Sequence, residues 1–393
     1  TFTKAVNTAA ANLKLTTGQE WTRHVPSHLR RQLPVVDPAK TAPEADYGIP
    51  SGPIVLHLYA GPDTPTALDY SIQVSAPWLS PFLVSIDILR DSTRHNLLLD
   101  EPYGLLMRKA QRGELVAILG GPNCRTWTIL LHTPQRDGTP GHPLRGRSAP
   151  DCWGMPDLTE EEQLKTDNDS TLLLRMLALY TMARECSHNP AFLLEHPADP
   201  SEYSEERTAH LCSSIWATDA IRTFQQQYGM LTTTFPQSAL GRLEGAKWTT
   251  VTHIHMPKIR RLEHLKPAPA ADHSTSSSGE LARWAPRFND AVAQSIIATL
   301  PTLAHWTNQA DTDANTDTIG TTAAQPRRDI HVTIGHKARP LRDGGGKPSP
   351  GRRHPIQRIH PLRAIGQALS AGTVAGSTKL QPGLIPPTQE LQA

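Results

Sequence analysis

The chain has 393 residues, with 39 Lys plus Arg against 37 Asp plus Glu and 38% hydrophobic residues, which fits one sizeable core with loosely packed flanks better than a uniform globule. Thirty-five prolines, 26 glycines and only 5% aromatics disfavour a helical bundle or a coiled coil. No apolar run approaches the roughly 20 residues that span a bilayer, and no basic start leads into an apolar stretch and a cleavage site. The chain therefore reads as soluble and intracellular, with no membrane partner.

The net charge of +2 conceals an asymmetry: residues 321–393 carry 11 basic and 3 acidic side chains, leaving an excess of 6 acids on the rest. A basic Pro/Gly-rich tail suits contact with nucleic-acid phosphates, and equally a solvated disordered end. The four cysteines, Cys124, Cys152, Cys186 and Cys212, form no CxxC pair, so neither a zinc ribbon nor a disulfide framework is expected. His253 and His255 have no further ligands at zinc spacing, and Lys347 is followed by Pro348 where a phosphate loop requires Ser or Thr. No metal is expected. Thr1 stands first instead of Met, which leaves a longer precursor and an incomplete gene model as open readings.

Residues 1–50 show no sustained apolar period and read as a loosely ordered lead-in. Residues 54–59, IVLHLY, form a short apolar run that breaks at Ala60-Gly61-Pro62, as a buried parallel strand ending in a turn does. Residues 82–86, 116–119 and 191–194 repeat the pattern, ending at Asp87, at Gly120-Gly121-Pro122 and at Glu195-His196-Pro197. A helix is predicted over 158–185, capped by Asp157 or Thr159, with Leu172, Leu173, Met176, Leu177 and Tyr180 as its apolar stripe. A second helix over 218–228 precedes strands over 230–235 and 248–253, which read as an antiparallel hairpin. A flexible loop over 268–279, a helix over 291–300 and an isolated strand over 329–334 complete the outline. Strands alternating with helices predict an α/β fold, a mostly parallel sheet with a terminal antiparallel hairpin and disordered ends. The predicted division is a lead-in over 1–50, a domain over 51–305 and a basic tail over 306–393.

In open α/β sheets ligands bind beyond the carboxyl ends of the strands, which directs attention to Ala60, Gly61, Pro62, Asp63, Asp87, Cys124 and Glu195. A small residue lets a ligand approach the backbone, and an acid ending the next strand can accept hydrogen bonds from ribose hydroxyls. Cys124, in a Gly/Pro-rich turn, is a candidate nucleophile; Glu195 is a candidate donor to a heterocycle nitrogen. Taken singly, each has a plainer reading as a small buried hydrophobe or a turn residue.

Together these blocks resemble the cytosine-5 DNA methyltransferases, in particular the divergent methylase-like domains carried by some eukaryotic retroelements, across roughly residues 52–260. VLHLYAGP is similar to the family's first block, VSIDILRD to its acidic block, GGPNCRTWT to the nucleophile block GGPPCQxxS, and LLEHP to the Glu-Asn-Val block. FPQSALG followed by KWTTVTH resembles the late hairpin, where Gln237, Gly241, Lys247 and Thr249 match. The resemblance implies a Rossmann-like class I methyltransferase fold, S-adenosylmethionine as cofactor and DNA, or RNA, as partner. It implies Cys124 and Glu195 as catalytic residues, and Tyr59, Ala60, Gly61, Asp87, Asp100 and Pro122 around the cofactor. A nuclear location follows if genomic DNA is the substrate, a cytoplasmic one otherwise. The chain departs from the pattern at Pro62-Asp63-Thr64, which replace glycines of FxGxG, at Asn123 and His196, and in lacking a match to QxRxR. A non-catalytic, retroelement-derived nucleic-acid-binding protein retaining the fold is therefore the second reading, and a decayed reading frame the third.

Overall fold

The computed structural model describes residues 19–33, 47–134, 137–187, 189–204, 209–241, 247–268 and 283–300. Six strands, β1 (Ile54–Leu58), β2 (Leu83–Ile86), β3 (Leu115–Gly120), β4 (Ala191–Pro197), β5 (Leu231–Pro236) and β6 (Trp248–Ile254), form one sheet in the order β2-β1-β3-β4-β6-β5. β1 to β4 are mutually parallel, and β6 runs antiparallel to both β4 and β5. The fold is thus α/β with a mostly parallel sheet and an antiparallel hairpin, as the alternation of elements predicts. The hairpin's return strand lies inside the sheet, between β4 and β5, and not at its edge.

The five longer helices are α1 (Leu68–Ser75), α2 (Asp100–Gln111), α3 (Glu160–Cys186), α4 (Asp219–Tyr228) and α5 (Pro286–Thr299). Thr159 caps α3 in a capping box with Glu162, which satisfies two otherwise orphaned N–H groups. Thr218 caps α4, and Gly229, at φ 61°, ends it in the left-handed conformation that costs glycine nothing. α5 begins with Pro286, ahead of the predicted 291, because proline suits a first turn whose N–H groups have no helical acceptor. Two helices have no counterpart in the sequence reading. α2 carries Pro102 and Gly104, which resemble helix breakers, but Pro102 falls in the first turn where its missing N–H is harmless. α1 is only eight residues long, too short for its period to stand out.

β1 is wholly buried and serves two cores. Ile54, Leu56 and Leu58 join Tyr103, Leu106, Leu173, Leu177, Phe192 and Phe224 in the core under α2, α3 and α4. His57 points to the opposite sheet face and meets the Trp284 ring at 5.0 Å, where α5 packs on α1. The lead-in is not uniform. Trp21 and Leu29 are completely buried, and Trp21 meets Phe224 edge-on at 5.9 Å. Residues 19–33 therefore belong to the core, a correction to the loosely ordered reading: Trp21, Val25, Leu29 and Leu33 recur every four residues and are all buried, but they sit on two short helical turns interrupted at Pro26, too brief for the period to stand out. The predicted strand over 329–334, the tail and the loop core over 269–279 lie outside the described residues.

Candidate functional site

The strand order reverses at β1, which has β2 on one side and β3 on the other, so a crevice opens between the turns that follow β1 and β3. A cavity of about 470 Å³ occupies it, bordered by Tyr59, Ala60, Gly61, Asp87, Gly121 and Trp284 among others, a size within the range of small-molecule sites. Four of the predicted residues, Tyr59, Ala60, Gly61 and Asp87, thus meet at one cavity. Tyr59 has φ 57°, a strained value for a residue with a side chain. Its hydroxyl donates to the Leu172 carbonyl at 2.7 Å, which holds the ring in place. Gly61, at φ 71°, donates its N–H to Asp87 Oδ2 at 2.7 Å, and the Leu89 N–H donates to Asp87 Oδ1 at 2.8 Å. Arg90 braces the turn from behind, donating to the Gly61 carbonyl at 2.8 Å and making a two-pronged ion pair with Asp69.

The opposite wall comes from residues that sequence reasoning missed. His57, Trp284 and Asn289 border the cavity. Burial pulls the His57 imidazole down to about 4, so it is neutral at physiological pH. Among the described residues its Nδ1 and the Asn289 Oδ1 are buried without a hydrogen-bond partner, an uncommon state for polar atoms that a ligand can relieve. Asn289 Nδ2 meanwhile donates to the Thr66 carbonyl at 2.7 Å, holding α5 to the loop after β1.

Asp100 does not border the cavity. It is the first residue of α2, its side chain is 75% exposed, and it pairs with Arg175 at 2.5 Å. Arg175 also takes the carbonyls of Leu97 and Leu99, and it is the preceding turn, Asn96 to Leu98, that faces the cavity. Pro122 is buried in the turn after β3 and is not part of the cavity wall.

Cys124 lies in that same turn, partly buried and without a disulfide. Burial pushes its thiol up; Lys247 opposes the shift, while the Glu195 and Asp169 carboxylates add to it. The three residues after it are pinned to the body. Arg125 Nε and Thr126 Oγ1 donate to buried Asp169 of α3 at 3.0 and 2.9 Å. Arg145 donates to Thr126 at 3.0 Å and lies over the Trp127 ring at 3.9 Å. Burial pulls the Arg145 guanidinium down to about 9. An acid at position 169, on the apolar stripe that continues through Leu173 and Met176, was the one sequence signal for this anchorage.

Glu195 falls within β4, paired with Val251 of β6, and not in a turn after it. Pairing continues through Pro197 and Thr249, so the strand outlasts its apolar run. The carboxylate is buried and each of its oxygens has a partner. Oε1 lies 3.3 Å from Lys247 Nζ and accepts from Gln237 at 3.3 Å and Thr249 at 3.4 Å. Oε2 accepts from Trp284 Nε1 at 3.1 Å. A methyl group on Gly121 would stand 2.6 Å from Oε2, so glycine is required for the turn after β3 and the carboxylate to approach. Lys247, Gln237 and Thr249, matched earlier without a role, are thus the partners of Glu195.

Among the described residues no group of three or more His, Cys, Asp or Glu is placed to hold a metal ion, and no helix is long and apolar enough to cross a membrane. No protein-family model matches the chain, and no curated protein matches it.

Proposed function

We propose that this protein is an S-adenosylmethionine-dependent methyltransferase of the Rossmann-like class I fold that acts on a nucleic-acid base, with cytosine carbon five of DNA as the acceptor and Cys124 as the nucleophile. The observation that carries the reading is spatial. Asp87 follows β2 and borders the cavity, Cys124 sits in the turn after β3 between Asn123 and Arg125, which border it, and Glu195, within β4, reaches it through the Trp284 indole as a shared neighbour.

The residues present suit the cofactor. Each Asp87 oxygen accepts one backbone N–H and keeps a further lone pair for a hydroxyl. Ala60 and Gly61 let a ligand approach the main chain, and the orphaned His57 Nδ1 and Asn289 Oδ1 offer polar contacts at the far wall. When bound, S-adenosylmethionine supplies an electrophilic methyl group on a sulfonium. The protein's part begins with taking the base out of its stack. The Cys124 thiolate then adds to cytosine carbon six, which makes carbon five nucleophilic. Glu195 hydrogen-bonds the ring at nitrogen three, and loss of the carbon-five proton after methylation expels the thiolate. Lys247 favours the thiolate against burial, and a backbone N–H at Cys124 adds a smaller push in the same direction.

The test is calorimetric titration of the protein with S-adenosylmethionine, with Asp87→Ala as the paired control. Saturable binding lost in the variant supports the reading and leads to a cytosine-DNA assay in which Cys124→Ala is inactive. Absence of binding to the folded protein overturns it. The second reading, a non-catalytic nucleic-acid-binding protein, is favoured by the glycine-poor turn at Pro62-Asp63-Thr64. It predicts DNA binding that weakens steeply with salt and survives Cys124→Ala.

A further inference from the structure

The two oxygens of Glu195 are held unequally among the described residues: Oε1 has three neighbours, whereas Oε2 accepts from one indole, so a single side chain governs the approach to Oε2. The Oε1 side is a closed cluster: Gln237 and Thr249 are completely buried, and Lys247 adds the charge. The Oε2 side depends on Trp284 alone among the described residues. Trp284 is only partly buried, borders the cavity and lies against the His57 ring at 5.0 Å. It leads into α5, whose Ala285 N–H donates to Gln237 Oε1 at 2.9 Å and whose Asn289 holds the loop after β1. One indole therefore touches both the cavity wall and the buried carboxylate.

We propose that Trp284 is a positioning residue that latches Glu195 and ties it to the cavity, so that a ligand entering the cavity displaces the indole and frees Oε2. The proposal rests on the functional reading only in taking Glu195 as the working carboxylate. The latch explains why Glu195 can be held at both oxygens at rest, since an unpaired buried carboxylate would be costly. It also gives an order of events, in which the cavity fills before Glu195 becomes available. Linkage makes the effect reciprocal, so whatever loosens the latch alters ligand affinity in the cavity.

Two variants break the contact by different routes. Trp284→Phe keeps a ring and removes the donor, whereas Gly121→Ala wedges a methyl group against Oε2 and 3.3 Å from the indole nitrogen. In the full-length protein, with folding checked by circular dichroism, carbodiimide capture of Glu195 by glycine ethyl ester is followed by mass spectrometry, with buried Asp199 as the internal reference. Each variant is expected to raise capture of Glu195 about fivefold or more, as for a typical coupling between sites, and the double variant no further. Unchanged capture in both variants overturns the latch. Titration with S-adenosylmethionine then reads the tie to the cavity. Trp284→Phe and Glu195→Gln are expected to change affinity non-additively, and additive changes overturn the tie. If the wild-type protein does not bind this probe, methyl transfer fails as the function while the capture experiment still decides the latch.

Discussion

The two halves of the site are built on opposite principles. On the β1 side the cavity leaves two buried polar atoms, His57 Nδ1 and Asn289 Oδ1, without partners among the described residues. On the β4 side Glu195 has a partner for each oxygen and a cation beside it. The cavity wall keeps hydrogen-bonding capacity open, whereas the Glu195 carboxylate is held at both oxygens, although His196 Nδ1 beside it on β4 has no partner among the described residues. Unmet hydrogen-bonding capacity points to where a ligand goes, and occupied capacity shows which contacts must change before chemistry begins.

The sharpest way to break this contrast is to remove the cation from the closed half. Lys247→Met leaves a buried carboxylate without its charge partner and is expected to cost about 3 kcal/mol, read as a lower urea midpoint at an unchanged slope. Adding Glu195→Gln to it should recover much of the loss. Acid breaks the contrast from the open side. The His57 imidazole is held down at about 4 by burial in the folded chain, against an ordinary value of 6.5. Its contribution to stability is therefore complete above pH 6.5 and is lost as pH falls toward 4, because the unfolded chain binds the proton first. At pH 5 the loss is about 2 kcal/mol. His253, also held near 4, behaves alike. Melting temperatures at pH 7 and pH 5 should show the drop, and His57→Gln should shrink it.

Asp87→Ala tests the turn that forms the cavity. It leaves the Gly61 and Leu89 N–H groups without their acceptor and is expected to cost about 1.5 kcal/mol, with a larger fractional loss of cavity-ligand affinity in calorimetry. Thr249→Val is the mildest change. It removes one weak donor to Glu195 and the acceptor of Gln237, for about 1 kcal/mol in denaturant unfolding. A loss above that of Lys247→Met would mean that hydrogen bonds, and not charge, hold the closed half together.

The open half was the more legible in sequence. Ala60, Gly61 and Asp87 were found because each follows a continuous apolar run, and strand ends in a parallel sheet are where ligands bind; Tyr59 came from the block resemblance. Asp100 shows the limit of that rule. Its neighbours face the cavity, but Arg175, 75 residues away, takes its carboxylate. The closed half was recognised only as isolated letters. Cys124 and Glu195 stood out by residue type, whereas Lys247, Gln237, Thr249 and Trp284 acquired partners only when β6 returned alongside β4 and α5 crossed the crevice.

What the sequence determined by itself was local. Four apolar runs and two threonine-rich, β-branched stretches set six strands, the threonines at 159 and 218 set helix starts, and Gly229 set a helix end, because period, capping and chain handedness act over a few residues. Only the tertiary structure decided that β6 inserts between β4 and β5, that Trp21 belongs to the core, and that an indole from residue 284 holds a carboxylate from residue 195. Those contacts join residues tens to hundreds of positions apart, and no local pattern encodes a partner that distant packing brings within 3 to 4 Å.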